Sequence, residues 1–236
     1  MPVAVITGAS MGLGLALTTD LRRRGWDLVV DGRHDTDLQA ATRNLSGAGR
    51  LVALPGDVTD PLHLAELASA AAELGGADVL VNNASTLGAS PLPSIATIGG
   101  DTLAQIYATN VVAPVALIQA LLPQLRGRQG RVVNISSDAA LEAYQTWGGY
   151  GSSKAALDQV SAVLAVERPD LHVYAFDPGD MRTQMQQDAF PGEDITDRPE
   201  PATVVPALLR LLEEPLPSGR YRASDLLASV PEGASA

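Results

Sequence analysis

Short, uniformly apolar runs alternate along the chain with longer stretches of helical periodicity. Val3–Ile6, Leu28–Asp31, Leu51–Leu54, Val79–Asn82, Arg131–Ser136 and Val173–Phe176 read as strands. Their hydrophobicity is continuous rather than alternating, as in strands buried on both faces. Helices are expected near Leu13–Arg24, Asp37–Leu45, Pro61–Leu74, Asp101–Leu125 and Tyr150–Glu167. Regular strand–helix alternation joins parallel strands through right-handed crossovers. The expected fold class is therefore α/β, a doubly wound parallel sheet of about seven strands with helices on both faces, and such sheets take ligands at the carboxyl ends of their strands.

Beyond Asp180 the texture changes. Residues 180–201 are rich in proline, acid and glutamine, with isolated Met181, Met185 and Phe190, and are expected to form a substrate lid. A helix near Ala202–Glu214 and a short strand near Arg220–Arg222 follow, and Val230–Ala236 is expected to fray. No repeat or linker divides the sequence, so residues 1–236 are expected to form one domain.

Composition adds exclusions. The 46% hydrophobic content is ample for a buried core. No uninterrupted apolar run reaches the roughly 18 residues of a membrane span. The N-terminus goes straight into a strand-like run with no basic leader, so a cytoplasmic location and no membrane partner are expected. Cysteine is absent, which removes disulfides and thiolate chemistry. His34, His63 and His172 have no ligand spacing, so no metal site is expected. A net charge of −11 argues against nucleic acid, whose phosphates need concentrated basic charge. Arg22, Arg23 and Arg24 before Gly25 read as the cationic end of a helix with a glycine cap.

The first strand runs into Thr7-Gly8-Ala9-Ser10-Met11-Gly12-Leu13-Gly14 and then a helix. Glycines at such a turn let the backbone approach a pyrophosphate lying on the amides of the helix N-terminus, the dinucleotide-binding device of Rossmann-like sheets. The second strand ends in Asp31-Gly32-Arg33-His34. A carboxylate there would accept bonds from a free ribose 2′-hydroxyl, whereas an arginine would pair with a 2′-phosphate. Arg33 favours NADP(H) over NAD(H), with Asp31 expected to point into the sheet or cap locally.

Further segments are more specific. Asn82-Asn83-Ala84-Ser85 closes the fourth strand, Asn134-Ile135-Ser136-Ser137 the fifth, and Tyr150-Gly151-Ser152-Ser153-Lys154 and Pro178-Gly179-x-x-x-Thr183 follow. With Thr7–Gly14, these five pieces in order resemble the short-chain dehydrogenase/reductase family over about residues 3 to 183. Tyr150 and Lys154, at i and i+4, share one helical face. A nearby ammonium would favour phenolate, suiting Tyr150 for proton exchange with a substrate oxygen. Lys154 is also the only lysine in a chain whose other long cationic side chains are all arginine, and a compact ammonium is not replaceable by a guanidinium in such a role.

The resemblance implies a catalytic set of Asn110, Ser137, Tyr150 and Lys154. Ser137 would bond the substrate oxygen, Lys154 would also reach the nicotinamide ribose, and Asn110 would support a proton-relay water. It implies cofactor contacts from Gly8, Ser10, Met11, Gly12, Leu13 and Gly14 in the turn. Arg33, Asp57 and Val58 would serve the adenosine end. Asn82, Asn83 and Ala84 would line the cleft, Asn82 also bracing the sheet, and Pro178, Gly179 and Thr183 would cup the nicotinamide. Ser85 stands where the family usually has glycine, Met11 where many NADP(H) members carry a second basic residue, and the C-terminal strand lacks the common glycine-rich ending.

The expected activity is NADP(H)-dependent reduction of a small aldehyde or ketone, or oxidation of the corresponding alcohol. An NAD-linked alcohol dehydrogenase of the same family and a non-catalytic NADP(H)-binding sensor are the alternatives. Ala139, Leu141, Tyr144, Trp147, Met181, Met185 and Phe190 are candidate walls of a mostly apolar substrate pocket. The resemblance implies a homodimer or homotetramer joined through the helices at about Asp101–Leu125 and Tyr150–Glu167.

Overall fold

The computed structural model describes residues 1–127 and 129–228; the frayed end expected at Val230–Ala236 lies outside the described residues. Seven parallel strands form one sheet in the order β3-β2-β1-β4-β5-β6-β7. The strands are β1 (Val3–Ile6), β2 (Asp27–Gly32), β3 (Leu51–Pro55), β4 (Val79–Asn82), β5 (Arg131–Ile135), β6 (His172–Asp177) and β7 (Gly219–Arg222). Each lies within about a residue of its expected position. The helices are α1 (Gly12–Arg23), α2 (Asp35–Thr42), α3 (Pro61–Glu73), α4 (Gly100–Tyr107), α5 (Ala113–Arg126), α6 (Gly148–Glu167), α7 (Gln184–Ala189), α8 (Val205–Glu213) and α9 (Ala223–Ala228).

The continuous apolar strands divide their side chains between two cores, as the period of two requires. Ala4, Ile6, Leu28, Val30, Val81 and Phe176 face α1, α8 and α9. Val3, Val5, Val29, Leu80, Val132 and Val173 face α3 and α5. Strand order reverses at β1, which pairs Ile6 with Val30 of β2 on one side and with Val81 of β4 on the other. The crevice at the carboxyl ends of β1 and β4 is the switch point where doubly wound sheets bind ligands.

The helix expected over Asp101–Leu125 is interrupted. Ala108–Val112 forms a π-helical turn between α4 and α5. Pro114 has no N–H, so the carbonyl of Asn110 lacks the partner that residue 114 would supply in an α-helix. The wider turn swings Asn110 into the interior, where it is 1% exposed. Taken as one rod, Gly100–Leu125 contains an 18-residue window of mean hydropathy 1.6 and is long and apolar enough to cross a membrane, although no uninterrupted apolar run is. Ala113, Leu117, Ile118, Leu121 and Leu125 spend that apolarity on the core beside α3 and the sheet.

Arg22 and Arg23 form the cationic last turn of α1, as expected. Arg22 is buried, and its guanidinium donates to the carbonyls of Gly49 and Gly47, clamping the turn before β3. Gly25, at φ +80°, reverses the chain after α1 as expected.

Candidate active site

At the end of β1 the chain turns through Gly8 and Gly12, with φ of +66° and +57°. A Cβ on Gly8 would lie 2.9 Å from the Cα of Ala84, and one on Gly14 would lie 2.4 Å from the Gly8 carbonyl oxygen. Glycine is therefore required by contact as well as by φ. Thr7 Oγ1 accepts from the amides of Asn83 and Ala84, both at 3.0 Å, and Asn83 Nδ2 donates to the carbonyls of Thr7 (2.8 Å) and Gly8 (3.0 Å). Helix α1 then begins with no side-chain cap and no acidic residue in its first turn. Its N-terminal amides face the cleft, a positive helix end suited to a pyrophosphate.

The cleft has a volume of about 310 Å³. Gly8, Ser10, Met11, Gly12 and Leu13 line it, as do Asn83, Ala84, Pro178, Gly179 and Thr183. Gly14 does not; it packs behind the turn. Asn82 does not line this cleft either. It is buried and donates to Asn134 Oδ1 at 2.8 Å, bracing β4 against β5.

At the adenosine end, Arg33, Asp57 and Val58 border the cleft. Arg33 is exposed, and no hydrogen bond or ion pair among the described residues engages its guanidinium. Asp57 accepts from Thr59 N (2.8 Å) and Thr59 Oγ1 (2.7 Å), and the Thr59 amide bond leads in holding its carboxyl below the usual range. Asp31 is 1% exposed, with both oxygens engaged: Oδ1 accepts from Gly8 N at 2.6 Å, and Oδ2 lies 3.2 Å from His63 Nε2.

At the opposite end, Tyr150 and Lys154 project from one face of α6, 8% and 2% exposed. Lys154 Nζ donates to the Ile135 carbonyl at 2.7 Å and lies 5.5 Å from the centroid of the Tyr150 ring. Burial depresses the ammonium's pKa to about 8. Burial also pushes the Tyr150 phenol well above its ordinary value, only partly opposed by the neighbouring hydroxyls of Ser137 and Ser85. This corrects the expectation that the ammonium favours phenolate: in a dry pocket the cost of charging the phenol outweighs its neighbour. The Tyr150 phenol is held protonated.

Ser137 accepts from Ala139 N at 3.2 Å, capping a short turn over Asp138–Ala140, and donates to Asp138 Oδ1 at 2.9 Å. Asn110 stands behind the cleft rather than in its wall. Its Nδ2 donates to Thr86 O and Ser153 Oγ, both at 3.0 Å, while Oδ1 accepts from Thr86 N (2.9 Å) and Ser85 Oγ (3.1 Å). All four of its side-chain hydrogen-bonding positions are filled. Ser85, the departure from the family's glycine, is thus held by Asn110 beside the Tyr150 phenol.

Leu87, Trp147 and Met185 form the apolar wall beside Tyr150, while Ala139, Leu92 and Ala189 pack around it without lining the cleft, and Phe190 does not line it either. Trp147 sits edge-on to Tyr150 at 5.7 Å and tilted on Phe190 at 5.9 Å. Met181 also lines the cleft. Leu141 and Tyr144 do not: they are 62% and 43% exposed, and the Tyr144 hydroxyl donates to Asp138 Oδ2 at 2.9 Å. The segment 180–201, expected as a lid, carries α7, whose N-cap Thr183 accepts from Gln186 N. Ser90 Oγ ties that helix to the loop after β4 by donating to Asp188 O at 2.6 Å.

Arg220 went unforeseen. From β7, its Nη2 donates to Ser137 O (2.9 Å) and Asp177 Oδ2 (3.2 Å), and its Nε to Asp158 Oδ2 (2.9 Å). Asp177 in turn accepts from Gly179 N at 3.0 Å. One guanidinium therefore ties the Ser137 loop to the Pro178-Gly179 segment.

A Rossmann-type sheet with an open helix N-terminus beside a buried tyrosine and lysine defines a nucleotide-dependent oxidoreductase. The short chain dehydrogenase family model matches residues 2–194. The sequence is 33% identical over 185 residues to an uncharacterized oxidoreductase of Saccharomyces cerevisiae, covering 78% of this chain and 72% of that one. It is 33% identical over 202 residues to the sepiapterin reductase of Mus musculus, covering 78% and 76%. Among solved structures, a short chain dehydrogenase from Pseudomonas syringae superposes with a TM-score of 0.88 at 26% identity, covering 94% of each chain. One from Shigella flexneri, complexed with NADP, gives 0.84 at 26%, covering 94% and 97%. The chain belongs to the short-chain dehydrogenase family. It is an enzyme acting on a CH–OH/C=O pair with a nicotinamide nucleotide.

Proposed function

We propose that this enzyme reduces an aldehyde or ketone with NADPH. The observation that carries the reading is the convergence of Ser137, Tyr150 and Lys154 at one end of the cleft, with burial holding the phenol protonated. A group that must donate a proton to a carbonyl oxygen needs that form.

The residues present fit the dinucleotide. The uncapped N-terminus of α1 and the glycine turn would hold the pyrophosphate, and Lys154 with the Pro178–Gly179 segment would hold the nicotinamide ribose and amide. When bound, the nicotinamide supplies the hydride. Ser137 and Tyr150 bond the carbonyl oxygen, and Tyr150 releases its phenolic proton to that oxygen as the alcohol forms. Lys154, anchored on Ile135 O, stabilises the phenolate that remains. Asn110 holds Ser85 beside the phenol, so a second hydroxyl stands next to the tyrosine through turnover.

The choice of NADP(H) rests on Arg33, free at the adenosine end, while Asp31 is committed to Gly8 and His63. The NADP complex of the Shigella flexneri relative supports the same choice. The apolar wall of Leu87, Trp147 and Met185 suits a mostly apolar carbonyl compound. Association into a dimer or tetramer through α5 and α6 is part of the proposal; Val112 just before α5 and Val163 and Val166 on α6 are exposed. The test is consumption of NADPH against a panel of aldehydes and ketones, compared with NADH. Turnover with NADH alone would favour the NAD-linked reading.

A further inference from the structure

His63 lies on α3 outside the catalytic set, yet it is 4% exposed and aimed at the cofactor turn. Its Nε2 is 3.2 Å from Asp31 Oδ2, and Asp31 Oδ1 accepts from Gly8 N at 2.6 Å. The main chain repeats the tie, since Ala9 N donates to Asp31 O at 2.7 Å. A carboxylate can only accept, so Nε2 carries the proton in this pair. Nδ1 has no hydrogen-bond partner among the described residues, the nearest carboxylate being Glu66 at 3.9 Å. The ring is pinned by packing as well: a Cβ on Gly56 would fall 2.3 Å from Nδ1, so only glycine leaves room for it.

The chain of contacts runs from α3 through the end of β2 to the turn that receives the pyrophosphate. Asp31 is two residues from Arg33. A carboxylate released there would face the ribose, where it would attract a free 2′-hydroxyl and repel a 2′-phosphate. Resting on the NADP(H) reading above, we infer that His63 is a positioning residue for cofactor selection: by holding Asp31 on the Gly8 amide it fixes the glycine turn and keeps the carboxylate away from the 2′-phosphate. Removing the imidazole leaves the buried Asp31 carboxylate with only the Gly8 backbone amide as partner, a state relieved by turning outward.

The test is fluorescence titration with NADPH and with NADH, side by side, of wild-type protein, His63→Leu and His63→Gln. In His63→Leu the NADPH Kd is expected to rise about tenfold or more, the NADPH-over-NADH preference to fall by a similar factor, and kcat at saturating NADPH to change less than about twofold. Gln retains an N–H donor, so His63→Gln should stay within about threefold of wild type. If His63→Leu does not fold, His63→Asn, polar but too short to reach Asp31, should give the Leu result. A wild-type preference for NADPH that survives in His63→Leu, or equal losses for both nucleotides, overturns the role of His63 alone. Tighter NADH binding by the wild-type protein overturns both this role and the NADP(H) reading.

Discussion

Lys154 Nζ lies 5.5 Å from the centroid of the Tyr150 ring while donating to the carbonyl of Ile135 at 2.7 Å. The ammonium is fixed by the backbone of β5, not by the phenol, and burial lowers its pKa to about 8. The charged form exists below that value and is lost as pH rises through it. The kcat/KM for carbonyl reduction is therefore expected to be flat on the acid side and to fall about tenfold per unit above pH 8. Lys154→Arg, whose guanidinium does not titrate there, should abolish that limb along with most activity. A profile flat through pH 10 would show that Lys154 is not required as a cation.

Ser85 sets a second hydroxyl beside the phenol, beyond that of Ser137. Replacing it with the family's usual glycine removes that hydroxyl and its hydrogen bond to Asn110, a neutral bond worth about 1 kcal/mol, so kcat of Ser85→Gly should fall roughly fivefold with NADPH affinity unchanged. An unchanged kcat would make Ser85 a bystander.

Arg33→Ala should weaken NADPH binding by about tenfold or more and leave NADH binding nearly unaltered, since a charge-assisted bond to phosphate is worth about 1.5–3 kcal/mol. Equal effects on both nucleotides would place the 2′-phosphate elsewhere.

The His63–Asp31 pair also carries a stability signature. The Asp31 hydrogen bond raises the His63 pKa above its ordinary 6.5, with Glu66 and Asp60 adding to the effect and Asp57 nearby. A raised folded value means stability fully present below about pH 6.5 and lost as pH climbs through the folded pKa. Denaturant unfolding of wild type should thus lose stability relative to His63→Gln on going from about pH 6 to pH 9. A difference independent of pH would mean that the ring stays neutral throughout.

How much of this was legible in the sequence varied with the range of the contact. The strands were legible because burial on both faces forces uninterrupted apolar runs. Tyr150 and Lys154 were legible because an i, i+4 pair needs only a helix. The π turn at Ala108–Val112 had a signal that could have been used: an asparagine in a helical run, four residues before Pro114. Arg220 had none, because its bond to Ser137 spans 83 positions and depends on β7 lying beside β6. The same holds for His63 on α3, whose partner sits 32 residues away on β2. Leu141 and Tyr144 are candidate pocket walls by their apolar and aromatic character, but after the turn at Asp138–Ala140 they face solvent.

The central claim is that Tyr150 is the proton donor in an NADPH-dependent carbonyl reduction. The direct measurement is the single-turnover rate of NADPH oxidation with a reducible aldehyde or ketone, in wild type and Tyr150→Phe, alongside NADPH Kd for each. The expected result is a loss of about 10²–10⁴-fold in rate with the Kd nearly unchanged. A Tyr150→Phe enzyme that oxidises NADPH at the wild-type rate would contradict it.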